Sequence, residues 1–254
     1  MKLLILGGTA DARRLAKRLQ LNSAGQKRIE LDMIYSVAGL VRMPDVDCTV
    51  ISGGFSQYGG LRAYIEQLGI EAVLDATHPY AEKMTGTAYA VSQQLGLPYW
   101  RFHRAAWQPQ EGDHWQPFES WAPLLAALVR FKSVFLTAGQ LDEATLARLG
   151  DYGRQGQRQV LRTAVAPAHA LPASMHWVKA IGPFDLANEL ALMREHAIDV
   201  LVSKNSGGQS TEAKLAAARK LGIPVLMLER PALPAGMPVF EELDQCAEAV
   251  LNAL

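Results

Sequence analysis

MKLLILGGTADARRLAKRLQ, residues 1–20, contains one complete strand-turn-helix unit. The apolar run Leu3 to Leu6 is short and stops at glycine, the pattern of a buried strand. Gly7, Gly8, Thr9 and Ala10 then make a small, polar turn, after which Leu15, Ala16 and Leu19 recur at helical spacing. A glycine turn between a strand and a helix places backbone N–H groups and a helix N-terminus where a phosphate can rest. As a G-x-G-x-x-G fingerprint the match is degenerate, because the three positions read Gly7, Thr9 and Ala12. On this stretch alone a plain βα turn and a dinucleotide site both stay open.

The same alternation continues along the chain. Strand-like runs at 29–36, 48–52, 72–77 and 98–102 are separated by helical patterns, and a Pro- and Trp-rich stretch, WQPQEGDHWQPFESWAP at 107–123, interrupts the rhythm. It resumes with apolar runs at 133–139, 160–165, 177–182, 198–203 and 224–229. Strands this apolar, alternating with helices, predict parallel sheets covered on both faces. The expected fold is therefore α/β, with two Rossmann-like domains and an interdomain cleft. Residues 1–106 would form a nucleotide-binding domain and residues 107–254 a second α/β domain completing the substrate cleft. Ligands are expected at the carboxyl ends of the strands.

Bulk properties narrow the function. Of 254 residues 49% are hydrophobic and 20% charged, an ordinary globular composition. Lys plus Arg and Asp plus Glu number 25 each, so no bulk basic field draws nucleic acid or an anionic membrane, and any anion site must be local. Cys48 and Cys246 are far apart and form no CxxC pair, which predicts a reduced, cytoplasmic setting without a metal site. No window approaches the roughly 18 apolar residues of a membrane span. GxxxxGK[ST], GxSxG and HExxH are all missing, which lowers nucleoside-triphosphatase, esterase and metalloprotease readings. With no heptad or large apolar face evident, a monomer or weak homo-oligomer is expected.

Several short segments carry polar chemistry. The second strand ends at Ser36 without the acid that would hold a free ribose 2′-hydroxyl, and Arg42 follows, so NADPH is expected over NADH. DATHPYAEK at 75–83 follows the fourth strand: Thr77, His78 and Tyr80 are candidates for the nicotinamide or substrate, and Asp75 for a buried orienting group. Pro79 suits a first helical turn, with Thr77 or His78 as its cap. Arg154 and Arg158 are expected on a solvated surface, whereas Arg104 and Arg162 are candidates for pairing with substrate carboxylates. In VSKNSGGQST at 202–211, a buried run leads into Lys204, Asn205 and Ser206, followed by Gly207 and Gly208, which permit a close backbone approach to a polar ligand.

Taken together, LLILGGTADARRLA at 3–16, SVAG at 36–39, GGF at 53–55, DATHPYA at 75–81, LGLPYWRFHRAAW at 95–107, FLTAGQ at 135–140, IGPF at 181–184 and the long segment from Val202 to Pro231 resemble the precorrin-6A reductase family of corrin biosynthesis. The resemblance implies an NADPH-dependent oxidoreductase that adds hydride to the C18–C19 double bond of a polycarboxylate macrocycle, giving precorrin-6B. It implies Gly7, Gly8, Thr9 and Ala10 at the pyrophosphate, and Ser36, Ala38, Gly39 and Arg42 near the 2′-phosphate, with Gly53 and Gly54 in the same cofactor site. Thr77 and His78 would lie nearer the nicotinamide, with His78 or Tyr80 able to supply a proton. Lys204, Asn205, Ser206 and Gly207 would face the cleft from the second domain. Leu40 stands where the family pattern expects arginine directly after SxAG, which leaves the phosphate partner open. A cobalt-precorrin-6A reductase and a non-catalytic dinucleotide-sensing module are the alternatives.

Overall fold

The computed structural model describes residues 1–25, 31–39 and 44–253, and the chain divides into two compact units, residues 1–105 with 231–254, and residues 106–230. The first pass through unit 1 forms β1 (Lys2–Leu6), α1 (Ala10–Gly25), β2 (Asp32–Val37), β3 (Thr49–Ser52), α2 (Leu61–Leu68), β4 (Ala72–Asp75), α3 (Glu82–Leu95) and β5 (Tyr99–Phe102). Unit 2 follows with β6 (Trp115–Phe118), α4 (Trp121–Leu128), β7 (Ser133–Thr137), α5 (Glu143–Arg154), β8 (Arg158–Thr163), β9 (Met175–Lys179), α6 (Leu186–Glu195), β10 (Val200–Lys204), α7 (Ala213–Leu221) and β11 (Val225–Leu228). The chain then re-enters unit 1 as β12 (Val239–Phe240) and α8 (Leu243–Leu251).

Both units hold a six-stranded sheet in which every pairing is parallel, ordered β12-β5-β4-β1-β2-β3 and β6-β11-β10-β7-β8-β9. Burial on both faces explains the uninterrupted apolar runs. Leu3 and Ile5 of β1 pack with Ala12, Leu15, Ala16 and Leu19 of α1 and with Cys246, Ala247 and Val250 of α8. Leu4 and Leu6, pointing the other way, pack with Leu61, Tyr64 and Ile65 of α2. In unit 2 one face of the sheet, with Phe135, Leu201 and Val225, is closed by Met193 of α6 and Leu215, Ala217 and Ala218 of α7. The expected parallel α/β architecture is present in both units.

The C-terminal segment departs from the expectation that everything after residue 107 builds the second domain. Residues 231–254 return to unit 1. The Arg101 and His103 N–H groups donate to the Pro238 and Phe240 carbonyls at 2.9 and 2.8 Å, which seats β12 at the edge of the first sheet, and α8 covers the apolar stripe of α1. An apolar strand followed by an amphipathic helix suits either sheet; only the unfilled edge beside β5 determines which one receives it.

Candidate functional site

In each sheet the strand order reverses at one place, between β1 and β4 in unit 1 and between β7 and β10 in unit 2. Loops leaving the carboxyl ends of such a pair diverge to opposite faces and leave a crevice for a ligand. The glycine turn after β1 and DATHPYA after β4 flank the reversal in unit 1. KNSGG leaves β10 at the reversal in unit 2.

Thr9 ties the first pair of loops together. Its Oγ1 donates to the Ala76 carbonyl at 2.9 Å and accepts the Ala12 N–H at 3.0 Å, while its own carbonyl accepts the Arg13 N–H at 3.4 Å. Thr9 is thus the N-cap of α1, and of the four N–H groups a helix start leaves unmatched, from Thr9 to Ala12, that of Ala12 is met by the Thr9 hydroxyl while those of Thr9, Ala10 and Asp11 have no partner among the described residues. Gly7 lies against Tyr35, where an added Cβ would come within 2.3 Å of the ring, and its N–H donates to the Ser36 carbonyl at 2.8 Å. Gly8 adopts φ +101° with no atom within 4 Å of a would-be Cβ, so the backbone is open above the helix end. The Asp11 carboxylate shares this end and is paired with Arg104 at 2.6 Å and Arg14 at 3.4 Å. Arg104, a candidate for substrate carboxylates, thus sits beside the α1 start.

The next two strand ends continue the same edge. Ser36 is buried near the end of β2, Ala38 and Gly39 follow it exposed, and the Gly53 N–H donates to the Val37 carbonyl at 3.0 Å. Gly54, exposed, leads into a short 3-10 turn at Phe55–Tyr58. Ser36, Ala38, Gly39, Gly53 and Gly54 thereby share the carboxyl edge with the β1 turn. Arg42 and Leu40 lie outside the described residues.

Beyond β4 the polar groups form one network. Asp75, fully buried, accepts from Arg101 Nη1 at 2.7 Å, from the Thr77 hydroxyl at 2.7 Å and N–H at 3.0 Å through Oδ1, and from the Tyr99 hydroxyl at 2.9 Å through Oδ2. Burial first and the Asp75 charge second raise the Tyr99 pKa, so its hydroxyl remains a donor. The Arg101 guanidinium, also fully buried, reaches the Thr77 carbonyl at 3.1 Å and the His78 carbonyl at 3.4 Å. The loop that presents His78 is therefore held from beneath. His78 is exposed, its Nδ1 accepts the Tyr80 N–H at 3.3 Å, and the two rings lie 5.7 Å apart. The cap assignment changes: α3 begins at Glu82 after Ala81, because Thr77 bonds Asp75 and His78 bonds Tyr80.

In unit 2, Lys204 ends β10 and is partly buried, which lowers its pKa. Gly207 and Gly208 both take positive φ, +66° and +82°. Ser206 is buried, with its N–H bonded to the Lys204 carbonyl at 2.8 Å. The Asn205 carboxamide is engaged at both ends by the Trp107 backbone, at 2.9 and 3.1 Å. Arg162 is likewise committed: it pairs with buried Glu189 at 2.5 Å and lies 3.8 Å from the Phe184 ring centroid. Arg154 and Arg158 are exposed, as expected. Beside the Arg162–Glu189 pair sits Lys214 of α7, buried under the Trp107 ring at 5.3 Å, with its pKa pulled down to about 7 by burial and then by Arg162.

The Asp75–Arg101 pairing, the Asp11–Arg104 pair and Lys214 were not assigned from sequence. Asp75 and Arg101 lie directly across from one another in the β4–β5 register, a relation that only the strand alignment reveals. Among the described residues no group of three or more His, Cys, Asp or Glu is arranged to hold a metal, and no helix is long and apolar enough to cross a membrane.

Known proteins resemble this chain along its whole length. Residues 2–251 match the profile of the family described as precorrin-6x reductase CbiJ/CobK. A precorrin-6A reductase of Rhodococcus erythropolis is 40% identical over 251 residues, covering 98% of this chain and 96% of its own. A cobalt-precorrin-6A reductase of Priestia megaterium is 26% identical, covering 98% of each chain. The solved structure of CobK precorrin-6A reductase superposes with a TM-score of 0.84 at 34% identity, over 99% of this chain and 96% of that one. This chain therefore belongs to the precorrin-6x reductase family, and is an oxidoreductase of cobalamin biosynthesis that acts on a carbon–carbon double bond of a macrocycle.

Proposed function

We propose that the chain reduces precorrin-6A to precorrin-6B with NADPH, holding the dinucleotide along the carboxyl edge of β1, β2 and β3. The observation that carries this reading is the α1 N-terminus: Gly8 open at φ +101°, Thr9 spent on capping, and the Ala10 and Asp11 N–H groups left at the helix end. A pyrophosphate fits such a cradle because oriented N–H dipoles replace its water, and Arg104 on Asp11 offsets the carboxylate that would otherwise repel it. Ser36, Ala38, Gly39, Gly53 and Gly54 would border the adenosine end, and Thr77 and His78 the nicotinamide end. The absence of an acid at the end of β2 supports the 2′-phosphorylated form.

The bound dinucleotide supplies hydride. The chain's own task is to hold the acceptor carbon within reach, exclude water, and deliver a proton to the neighbouring carbon. His78 is suited to the proton: with Nδ1 accepting the Tyr80 N–H, Nε2 is the nitrogen left to carry it. Tyr80, its ring neighbour, is the second candidate. Lys204 would pair with a carboxylate of the macrocycle, regaining charge stabilisation that burial removes in the unliganded chain. Ser206 and Gly207 would add hydrogen bonds, whereas the side chains of Asn205 and Arg162 are committed within unit 2.

The test mixes purified chain with precorrin-6A and either NADPH or NADH, following absorbance of the reduced nicotinamide. Loss of absorbance with NADPH at a lower KM than with NADH is expected, and tighter use of NADH would refute the 2′-phosphate assignment. Binding without consumption would show a sensing module. A parallel assay with cobalt-precorrin-6A separates the two substrates; the metal-free one is favoured by the higher identity to the Rhodococcus protein.

A further inference from the structure

We infer that Asn205 is a positioning residue: its carboxamide ties the Lys204–Gly208 loop to the start of unit 2 and its backbone carbonyl ties it to the end; the inference rests on the proposed role of that loop in holding the macrocycle. Unit 2 begins at Ala106 and ends at Arg230. Near its first residue, the Trp107 N–H donates to Asn205 Oδ1 at 2.9 Å and the Trp107 carbonyl accepts from Asn205 Nδ2 at 3.1 Å. At its last residue, Arg230 Nε donates to the Asn205 carbonyl at 2.7 Å. The Trp107 indole N–H also reaches the Gly208 carbonyl at 3.1 Å, at the far end of the same loop.

A carboxamide that meets one residue's N–H and C=O together fixes distance and rotation at once, as a strand neighbour does. The loop needs such a fixture. The Asn205 N–H donates to the Leu228 carbonyl at 3.1 Å, continuing the β10–β11 pairing by one bond, but past it the loop runs through Gly207 and Gly208, both at positive φ, where glycine resists little. Its shape is therefore set from the side, by the two places where the chain enters and leaves unit 2. Only asparagine supplies the donor and the acceptor at this reach. Aspartate, of equal size, offers two acceptors and would set an oxygen against the Trp107 carbonyl.

Asn205→Asp, Asn205→Ala and Trp107→Phe test this. In the unliganded chain, hydrogen exchange at the Trp107 amide is expected to quicken at least about tenfold in Asn205→Ala, as the loss of one hydrogen bond allows, and to quicken less in Asn205→Asp, which keeps an acceptor for that amide and loses only the donor to the Trp107 carbonyl. The kcat/KM for precorrin-6A should fall roughly 10- to 100-fold, the penalty of a misplaced binding group. The NADPH Kd, read by nucleotide fluorescence, should stay within about twofold, since no phosphate donor of the α1 end is touched. Trp107→Phe loses one bond and keeps the backbone pair, so about a threefold fall is expected. Faster exchange with unchanged kcat/KM per folded molecule, judged by circular dichroism, would overturn the positioning role, as would unchanged exchange. If the wild-type chain fails to oxidise NADPH with precorrin-6A, the proposed function fails, while the exchange measurement still decides whether the tether exists.

Discussion

Arg101 and Asp75 are both 0% exposed, so neither charge has water to fall back on. Asp75 is satisfied by Arg101, Thr77 and Tyr99, but Arg101 Nε has no hydrogen-bond partner among the described residues, so the pair leans heavily on its single carboxylate. Asp75→Asn preserves shape and strands the guanidinium, and a cost of about 3–5 kcal/mol in urea unfolding is expected. A cost below about 1 kcal/mol would show that the cation finds another partner. Lys214 makes a prediction of opposite character. It faces the Trp107 ring, the Arg162 guanidinium and the Glu189 carboxylate, and its pKa is near 7 when folded against an ordinary 10.5. Between those values the unfolded chain holds a proton the folded chain lacks, so this group makes stability rise with pH from about 7 to 10.5 and adds no slope below. Lys214→Met removes that linkage. Its unfolding free energy relative to wild type should be most favourable at pH 7 and below, and decline as the pH approaches 10.5; a flat difference would mean the amine is not desolvated.

The β1-turn-α1 element was legible because each of its parts reports on the next. Four apolar residues, two glycines and a threonine, then leucines at helical spacing, admit one local geometry, and the strand and helix occur where that pattern puts them. What the pattern could not carry was Thr9's double duty, since its partner Ala76 is 67 residues away. Thr9→Ala removes the α1 cap and the bridge to the β4 loop together, and a loss of about 1–2 kcal/mol is expected in thermal or urea melts, with weaker NADPH binding. Thr9→Ser keeps the hydroxyl and should recover most of both; equal behaviour of the two variants would show that the hydroxyl is idle. The β4-α3 element was less legible for the same reason. Pro79 suggested an immediate helix, yet the pull of Asp75 and Arg101 on Thr77 and His78 delays α3 to Glu82. In KNSGG the residue types mark a polar glycine turn after a buried strand, but Asn205's partner Trp107 lies 98 positions upstream, where no local pattern records it.

Across the whole chain, parallel sheets and two units follow from the repeated strand-helix rhythm, whereas the ownership of residues 231–254 does not. Each sheet has the same core order, a central strand with two strands to one side and two to the other, and each needs a sixth strand at the β5 or β11 edge. Unit 2 fills that place with β6, its own first strand, while unit 1 waits for β12, made after unit 2 is complete. α8 arrives with β12 and buries Cys246, Ala247 and Val250 against α1. Residues 106–230 alone thus hold all six strands of their sheet and both helical layers, and should fold as a fragment with a cooperative urea transition. Residues 1–105 alone lack the cover over Leu15, Ala16 and Leu19, an exposed stripe that should bind a hydrophobic dye and aggregate. Joining residues 231–254 to residue 105 through a flexible linker supplies β12 and α8 and should restore a cooperative transition. If residues 1–105 fold without them, β12 and α8 are dispensable trim; if 107–254 folds more stably than 106–230, the terminal segment has an affinity for the second unit that its seat on β5 and α1 gives no reason to expect.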